Sequence, residues 1–297
     1  MTLLDGTKTS NIIKENLKKE IDVLDKKPRL VVIQIGDNKA SNSYIKSKEK
    51  SASFVGMNFS HIKLEKCISE EELIEKIKYL NIDNTVNGII LQLPVPKHID
   101  SKKVINHIDP NKDVDGLTNI NVGKLTSGNY TLVPCTALGV IELLKAYDIK
   151  INGKNVTIIG RSPLVGKPLI SLFMNENATV TVCHSKTEKI KEKTMNADII
   201  VVAIGKAKFL TEDMVKKDSV IIDVGINIID GKLVGDTDFE KVKNKASYIT
   251  PVPGGCGPMT VCMLIKNTLI AYHNLEKDLE LEKMKHHLLT YERKNNQ

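Results

Sequence analysis

The chain has 297 residues, 41% hydrophobic and 27% charged, which is a globular composition long enough to divide into two domains of roughly 140 residues each. Its net charge of +7 comes from lysines interleaved with glutamates, as in "SEEELIEKIKYL", and with 4% aromatic residues and no tryptophan neither a nucleic-acid face nor a stacking platform is expected. No apolar run reaches the ~20 residues of a membrane helix, and five scattered cysteines without a CxxC pair argue against a disulfide framework or a zinc site.

The chain opens "MTLLDGTKTSNIIKENLKKE", with no basic region followed by an apolar stretch and cleavage site, so a cytoplasmic location is expected. Apolar, β-branched runs then alternate with helical patterns: "RLVVIQI", "NGIILQL", "NVTIIG", "ATVTVC", "ADIIVVAIG" and "SVIIDVG". Strands of this kind between helices belong to parallel sheets covered on both faces, an α/β fold. After the first run, "GDNKASNSYIKSKEKSASFVGM" reads as a polar loop and a helix that holds Tyr44 and Lys48 on one face.

Two prolines in "ILQLPVPKHID" stop the second strand, and the loop-rich stretch "IDPNKDVDGLTNINVGKLTSGNYTLVPCT" leads to the later set, so a domain boundary is expected at Pro134. After the last strand "ITPVPGGCGPM" opens a helix, and the tail carries Leu275, Leu279 and Leu288 at helical spacings that suit packing back on another element. The expected division is therefore 1–134 with a returning helix 275–297, and 135–274.

In "NVTIIGRSPLVGKPLISLF" a buried strand ends at Gly160 and a helix follows Gly166, a GxxxxxG turn rather than GxGxxG. Such a turn lets backbone approach a pyrophosphate at a helix N-terminus; as a lone signal it is equally a tight strand-to-helix connection. The next strand, "ATVTVC", ends at His184-Ser185-Lys186, where NAD-binding domains commonly carry an acid. With Arg161, Ser162, Ser185 and Lys186 there instead, an adenosine 2′-phosphate is accommodated and NADP is favoured over NAD; plain surface polarity is the alternative.

Tyr44 and Lys48 taken alone are a surface pair or a functional couple. They are not the couple of short-chain dehydrogenases, in which the tyrosine and lysine follow the glycine turn; here they precede it by more than 100 residues. Asp113 and Asp115 in "KDVDG" suit a turn or a metal loop, and without a further ligand ladder no metal is expected. Asp223 reads as a structural or cofactor-side group, and His98 and His184 as structural.

Taken together, Ser41-x-x-Tyr44-x-x-x-Lys48, "GIILQLPVPKHID", "KDVDG", "PCTALG", "GRSPLVGKP", "ATVTVCHSKT", "DVGIN", Gly235-Asp236 and "TPVPGGCGPMT", in this order, resemble the methylenetetrahydrofolate dehydrogenase/cyclohydrolase family over nearly the whole chain. The departures are Ala137 where the family usually has proline, Cys256 where it has valine, and Cys262 where alanine is frequent. The resemblance implies an α/β catalytic domain with a parallel sheet, a Rossmann-type NADP-binding domain, a folate cleft between them, and a homodimer acting on tetrahydrofolate one-carbon derivatives.

By the same resemblance Tyr44, Lys48, Gln92 and Asp115 carry catalysis, and Leu91, Leu93, Pro253, Gly254 and Gly255 join them in binding folate. Tyr44 would stack on the aminobenzoyl group, Lys48 would reach the one-carbon bridge, Asp115 would hold the pterin, and the loop from Pro253 to Val261 would close over the substrate. Gly160, Arg161, Ser162, Gly166, Ser185 and Ile226 would hold NADP, with Ile226 at the nicotinamide. Two other classes stay open on the residues alone. One is a two-domain reductase resembling shikimate dehydrogenases; the other is a non-catalytic dinucleotide sensor, against which Lys48, Gln92 and Asp115 weigh.

Overall fold

The computed structural model describes residues 1–295, with the side chains of Lys39, Ala40, Glu282 and 285–295 outside the description. A short β1 (Thr2–Leu3) precedes α1 (Gly6–Asp22), whose first turn is fixed by Asp5 accepting the Lys8 N–H at 2.8 Å. The next strand, β2 (Arg29–Ile35), is buried from Leu30 onward and runs into α2 (Lys39–Phe54), capped by Asn38. An edge strand, β3 (Asn58–Leu64), leads to α3 (Glu70–Ile82). Here Ser69 and Glu72 bond reciprocally to each other's backbone N–H, an arrangement worth about 1 kcal/mol.

The fully buried β4 (Gly88–Leu91) is followed by two short helices, α4 (Ser101–Ile105) and α5 (Asn119–Thr126). The second corrects the expectation of loop between "IDPNKDVDG" and "LVPCT". Its asparagines, threonine and glycine are poor helix formers, yet Thr118 caps it by accepting the Asn121 N–H, and burial of Leu125 holds it down.

The second half continues with α6 (Cys135–Ala146), β5 (Asn155–Ile159), α7 (Gly166–Asn175), β6 (Thr179–Cys183), α8 (Ile190–Met195) and β7 (Ile199–Val202). After a 3₁₀ turn at Glu212–Met214 come β8 (Val220–Asp223), the ribbon β9 (Asn227–Ile229) and β10 (Lys232–Val234), α9 (Phe239–Val242), β11 (Tyr248–Ile249) and α10 (Cys256–Asn295).

These elements build two parallel sheets, as the apolar runs require. One has the order β3-β2-β4; the other has the order β1-β11-β8-β7-β5-β6, and β9 pairs with β10 antiparallel as a separate ribbon. The interior strands β7 and β8 and the terminal strand β4 are buried at every position, whereas β3 and β6 at the other ends of the sheets are only partly buried. Residues 2–3 cross the expected division, because β1 adds in parallel to β11 of the second sheet.

A single helix, α10, starts at Cys256 rather than at 275 and packs on α6 and α1, with lesser contact to α2 and β4. Leu275 and Leu279 line a small pocket together with Val86 and Lys112; the side chain of Leu288 and residues 296–297 lie outside the description. One apolar cluster joins Leu30, Val32 and Ile90 of the first sheet to Ile158, Val201 and Ile222 of the second through α6 and Met259, Met263 and Ile265 of α10. Each such buried side chain contributes about 1.5–3 kcal/mol, so the joint between the sheets is a core.

Candidate active site

The first turns of α2 are tied to the sheet by a chain of polar groups. Gln34, almost fully buried at the end of β2, donates to Asn42 Oδ1 at 2.7 Å, and Asn42 donates to Asp37 Oδ1 at 2.7 Å. With the Gln34 amide N–H so used, its Oε1 is the acceptor for His61 Nε2 at 2.8 Å. This chain sets where Tyr44 and Lys48 stand one turn apart. Tyr44 is 47% exposed and Lys48 half-buried.

The Lys48 ammonium donates to Gln92 Oε1 at 2.9 Å. Gln92 directly follows β4, and its Nε2 donates to the Leu93 carbonyl at 2.8 Å, which fixes the amide so that its oxygen faces the lysine. The two aspartates of "KDVDG" have separate jobs. Asp113 is buried and accepts from the Leu117 N–H, the Thr118 N–H and Asn121 Nδ2, with burial pushing its carboxyl above the usual carboxylate range. Asp115 faces the cleft instead. Its turn is held from behind by Asn267 of α10, which donates to the carbonyls of Val114 at 2.9 Å and Val133 at 2.8 Å. Beside it, burial and then the Asp115 charge push the Cys135 thiol well up, so that cysteine is inert.

A cleft of about 330 Å³ brings these groups together. Tyr44, Lys48, Leu91, Gln92, Leu93 and Asp115 line one side, and Leu164, Val224 and Ile226 from the second sheet line the other. A neighbouring cavity of about 560 Å³ shares Tyr44, Val224 and Ile226 with it and is walled by Pro253, Gly254 and Gly255. That loop is pinned to the start of α1, where the Thr7 N–H donates to the Gly254 carbonyl at 3.0 Å. Sequence reasoning did not single out Leu117, Thr136, Leu164 or Leu264 as cleft residues, and reached Thr260 only within the stretch from Pro253 to Val261. The quoted strings "PCTALG" and "GCGPMT" contain two of them, and in the fold Thr260 Oγ1 donates to Thr136 Oγ1 at 3.2 Å.

The GxxxxxG turn lies beyond the cleft wall. Gly160 has φ +124°, and a Cβ there would overlap the Ala203 carbonyl; a Cβ on Gly166 would overlap the Gly160 carbonyl. The turn therefore closes on bare backbone and delivers the N-terminus of α7, with Ser162 Oγ accepting the Val165 N–H at 3.2 Å. Arg161, Ser162, Ser185 and Lys186 are exposed around it and do not line the cleft. The His184 backbone N–H donates to Thr187 Oγ1 and its Nδ1 accepts the Lys186 N–H. His98 Nε2 likewise meets a backbone carbonyl, that of Ile68. Asp223 accepts three backbone N–H groups, with burial raising its carboxyl.

Residues 4–115 match the family described as tetrahydrofolate dehydrogenase/cyclohydrolase, catalytic domain, and residues 134–276 match its NAD(P)-binding domain. The chain is 52% identical over 284 residues to the bifunctional protein FolD of Campylobacter hominis, covering 94% of this chain and 100% of that one. Its fold matches the crystal structure of the bifunctional enzyme FolD-methylenetetrahydrofolate dehydrogenase/cyclohydrolase from Campylobacter jejuni with a TM-score of 0.91 and 47% identity, covering 92% and 99% of the two chains. The Trypanosoma brucei N5,N10-methylenetetrahydrofolate dehydrogenase-cyclohydrolase, complexed with NADP cofactor and inhibitor, matches with a TM-score of 0.88 and 36% identity over 92% and 98%.

Proposed function

Because the chain belongs to the tetrahydrofolate dehydrogenase/cyclohydrolase family, we infer that it oxidises 5,10-methylenetetrahydrofolate to 5,10-methenyltetrahydrofolate with NADP and then hydrolyses the product to 10-formyltetrahydrofolate. The observation that carries this is the composition of one cleft. Lys48, Gln92 and Asp115 stand on one wall, and Leu164 and Ile226 of the dinucleotide unit stand on the other. The family matches over residues 4–115 and 134–276 weigh against a shikimate dehydrogenase-like reductase and a cofactor sensor.

The Gly160–Gly166 turn, which closes on bare backbone where a Cβ would overlap a carbonyl and which opens α7, suits a pyrophosphate at that helix N-terminus, and the exposed Arg161, Ser162, Ser185 and Lys186 suit the 2′-phosphate of NADP. When bound, NADP supplies the hydride acceptor. The protein's part in that step is positioning, since no proton leaves the reacting carbon and the reacting atoms need only be held roughly 3–3.5 Å apart. Tyr44, half-exposed at the seam of the two cavities, offers a ring to the aminobenzoyl group. Asp115 offers an acceptor to the pterin's N–H groups, its backbone fixed by Asn267. Leu91 and Leu93 supply apolar contact, and Pro253, Gly254 and Gly255 border the mouth.

Hydrolysis asks more, because a water must attack and protons must move. Lys48 is the group for that work: one of its N–H bonds goes to Gln92 and the others remain for water and substrate. Gln92 Oε1 accepts from Lys48 Nζ and holds that nitrogen in place while it works on the water and substrate.

We place the division of the chain near 134, with the C-terminal helix returning to the first unit, a reading supported by the family matches at 4–115 and 134–276. No helix among the described residues is long and apolar enough to cross a membrane. A cytoplasmic homodimer completes the reading, supported by the exposed apolar residues Ile228 and Leu233 on the β9–β10 ribbon. The test is absorbance of methenyltetrahydrofolate formed from the methylene compound with NADP, followed by its decay. Absence of both signals in folded protein refutes the function.

A further inference from the structure

We propose that Asp236 is a positioning residue for the cofactor side of the cleft, a carboxylate clamp that ties the loop after β7 to the loop after β8 and so sets where the nicotinamide half of NADP can lie. The proposal rests on the dehydrogenase/cyclohydrolase reading and adds a residue to it.

Asp236 is completely buried, and its oxygens serve three donors. Oδ2 accepts the backbone N–H groups of Ile204 at 2.7 Å and Gly205 at 2.9 Å, the first residues beyond the end of β7 and Ala203. Oδ1 accepts Asn227 Nδ2 at 2.9 Å, at the start of β9 and directly after Ile226. A single side chain thus holds both flanks of a groove.

A second carboxylate aims the first. Asp223, at the end of β8, accepts the N–H groups of Gly225 and Asp236 on Oδ1, both at 2.9 Å, and that of Thr237 on Oδ2 at 2.7 Å. The glycines of "DVGIN" and "GD" follow from this. A Cβ on Gly225 would overlap the Asp236 carboxylate, and one on Gly235 would overlap the Asp223 carboxylate. The two strings, 11 residues apart from Gly225 to Asp236, are the two halves of one built cluster.

The position of the cluster gives it a role beyond stability. In the order β8-β7-β5-β6 the chain reverses direction across the sheet between β5 and β7, and ligands of such sheets lie in the crevice outside those strand ends. Gly160 of the cofactor turn abuts the Ala203 carbonyl, so Ile204 and Gly205, which Asp236 holds, adjoin that crevice. On the other flank Val224 and Ile226 line the folate cleft opposite Lys48. A cofactor running from the Gly160 turn to the folate must pass between the segments that Asp236 joins.

Hydrolysis of the methenyl compound uses no dinucleotide, and this separates a positioning role from a general loss of structure. Rates of both reactions, the KM for each substrate and NADPH affinity by fluorescence titration are compared in Asp236→Ala, Asp236→Asn and Asn227→Ala. Asn227 can turn its amide to accept from an asparagine at 236, so Asp236→Asn restores part of the clamp. The expected result is NADPH affinity and dehydrogenase kcat/KM for NADP lower by about tenfold or more in Asp236→Ala, with smaller losses in the other two. Folate KM and the cyclohydrolase rate stay within about threefold in all variants that fold. If Asp236→Ala does not fold, the other two variants decide. Unchanged NADPH affinity, or cyclohydrolase and dehydrogenase activity falling in parallel, overturns the proposal. A wild-type protein that binds NADPH but performs neither reaction instead overturns the parent reading.

Discussion

Lys48 Nζ and Gln92 Oε1 stand 2.9 Å apart, one on the helix after β2 and the other just past the end of the neighbouring β4. The contact is possible only because the two strands are hydrogen-bonded in parallel and both chains emerge at the same edge of the sheet. It holds the amine without neutralising it, since an amide oxygen accepts a bond and takes no charge. Changing Lys48 to methionine keeps the apolar stem and removes the group that moves protons. Cyclohydrolase activity should fall by roughly 10²-fold or more, and dehydrogenase activity less. Near wild-type hydrolysis of methenyltetrahydrofolate above the buffer background would reduce Lys48 to a surface lysine.

Cofactor choice is expected to rest on Arg161, which is exposed next to Gly160, with His184-Ser185-Lys186 rather than an acid directly after β6. Charge-assisted bonds to a phosphate contribute about 1.5–3 kcal/mol, so Arg161→Ala should lower kcat/KM for NADP by about one to two orders of magnitude and leave NAD nearly untouched. Equal losses with both cofactors would count against a 2′-phosphate contact.

Asp198 gives a test in acid. The Lys216 hydrogen bond, then the Asn155 N–H, hold its carboxyl below the usual range, at 2.6 and 2.9 Å. A folded-state value below the unfolded one means that the stabilisation is present above about pH 4 and is lost as pH falls through the lower, folded value. Asp198→Asn should therefore lower the Tm at pH 7 by about one to three degrees, a partly exposed pair being worth about 1 kcal/mol at most, and the difference should shrink as pH falls below about 4. A gap that is independent of pH would assign the effect to packing.

Self-association is expected to run through the dinucleotide unit in a symmetric contact. Ile228 is 73% exposed on the ribbon, and Ile228→Asp should weaken a dimer that light scattering detects at micromolar concentration. A wild-type monomer under those conditions removes the dimer from the reading.

The pattern of apolar runs was enough for the α/β class, for both parallel sheets and for the helix that carries Tyr44 and Lys48, because helical and strand periods are properties of neighbours in the chain. The edge strand β3 left no such mark: one side of "NFSHIKL" meets solvent, and Ser60, His61 and Lys63 break the run. Nor could periodicity divide the labour between Asp113 and Asp115, two residues apart, of which one is spent on backbone N–H groups and the other is left for the cleft. The pairing of β1 with β11, the bond from Lys48 to Gln92 and the clamp from Asp236 to Ile204 and Gly205 all join segments far apart in the chain. Local sequence sets which groups are polar and which turns need glycine. Which of those groups meet, and so which are used up in holding backbone and which remain for chemistry, is decided only when burial brings the sheets together and nearly every buried donor is drawn to an acceptor.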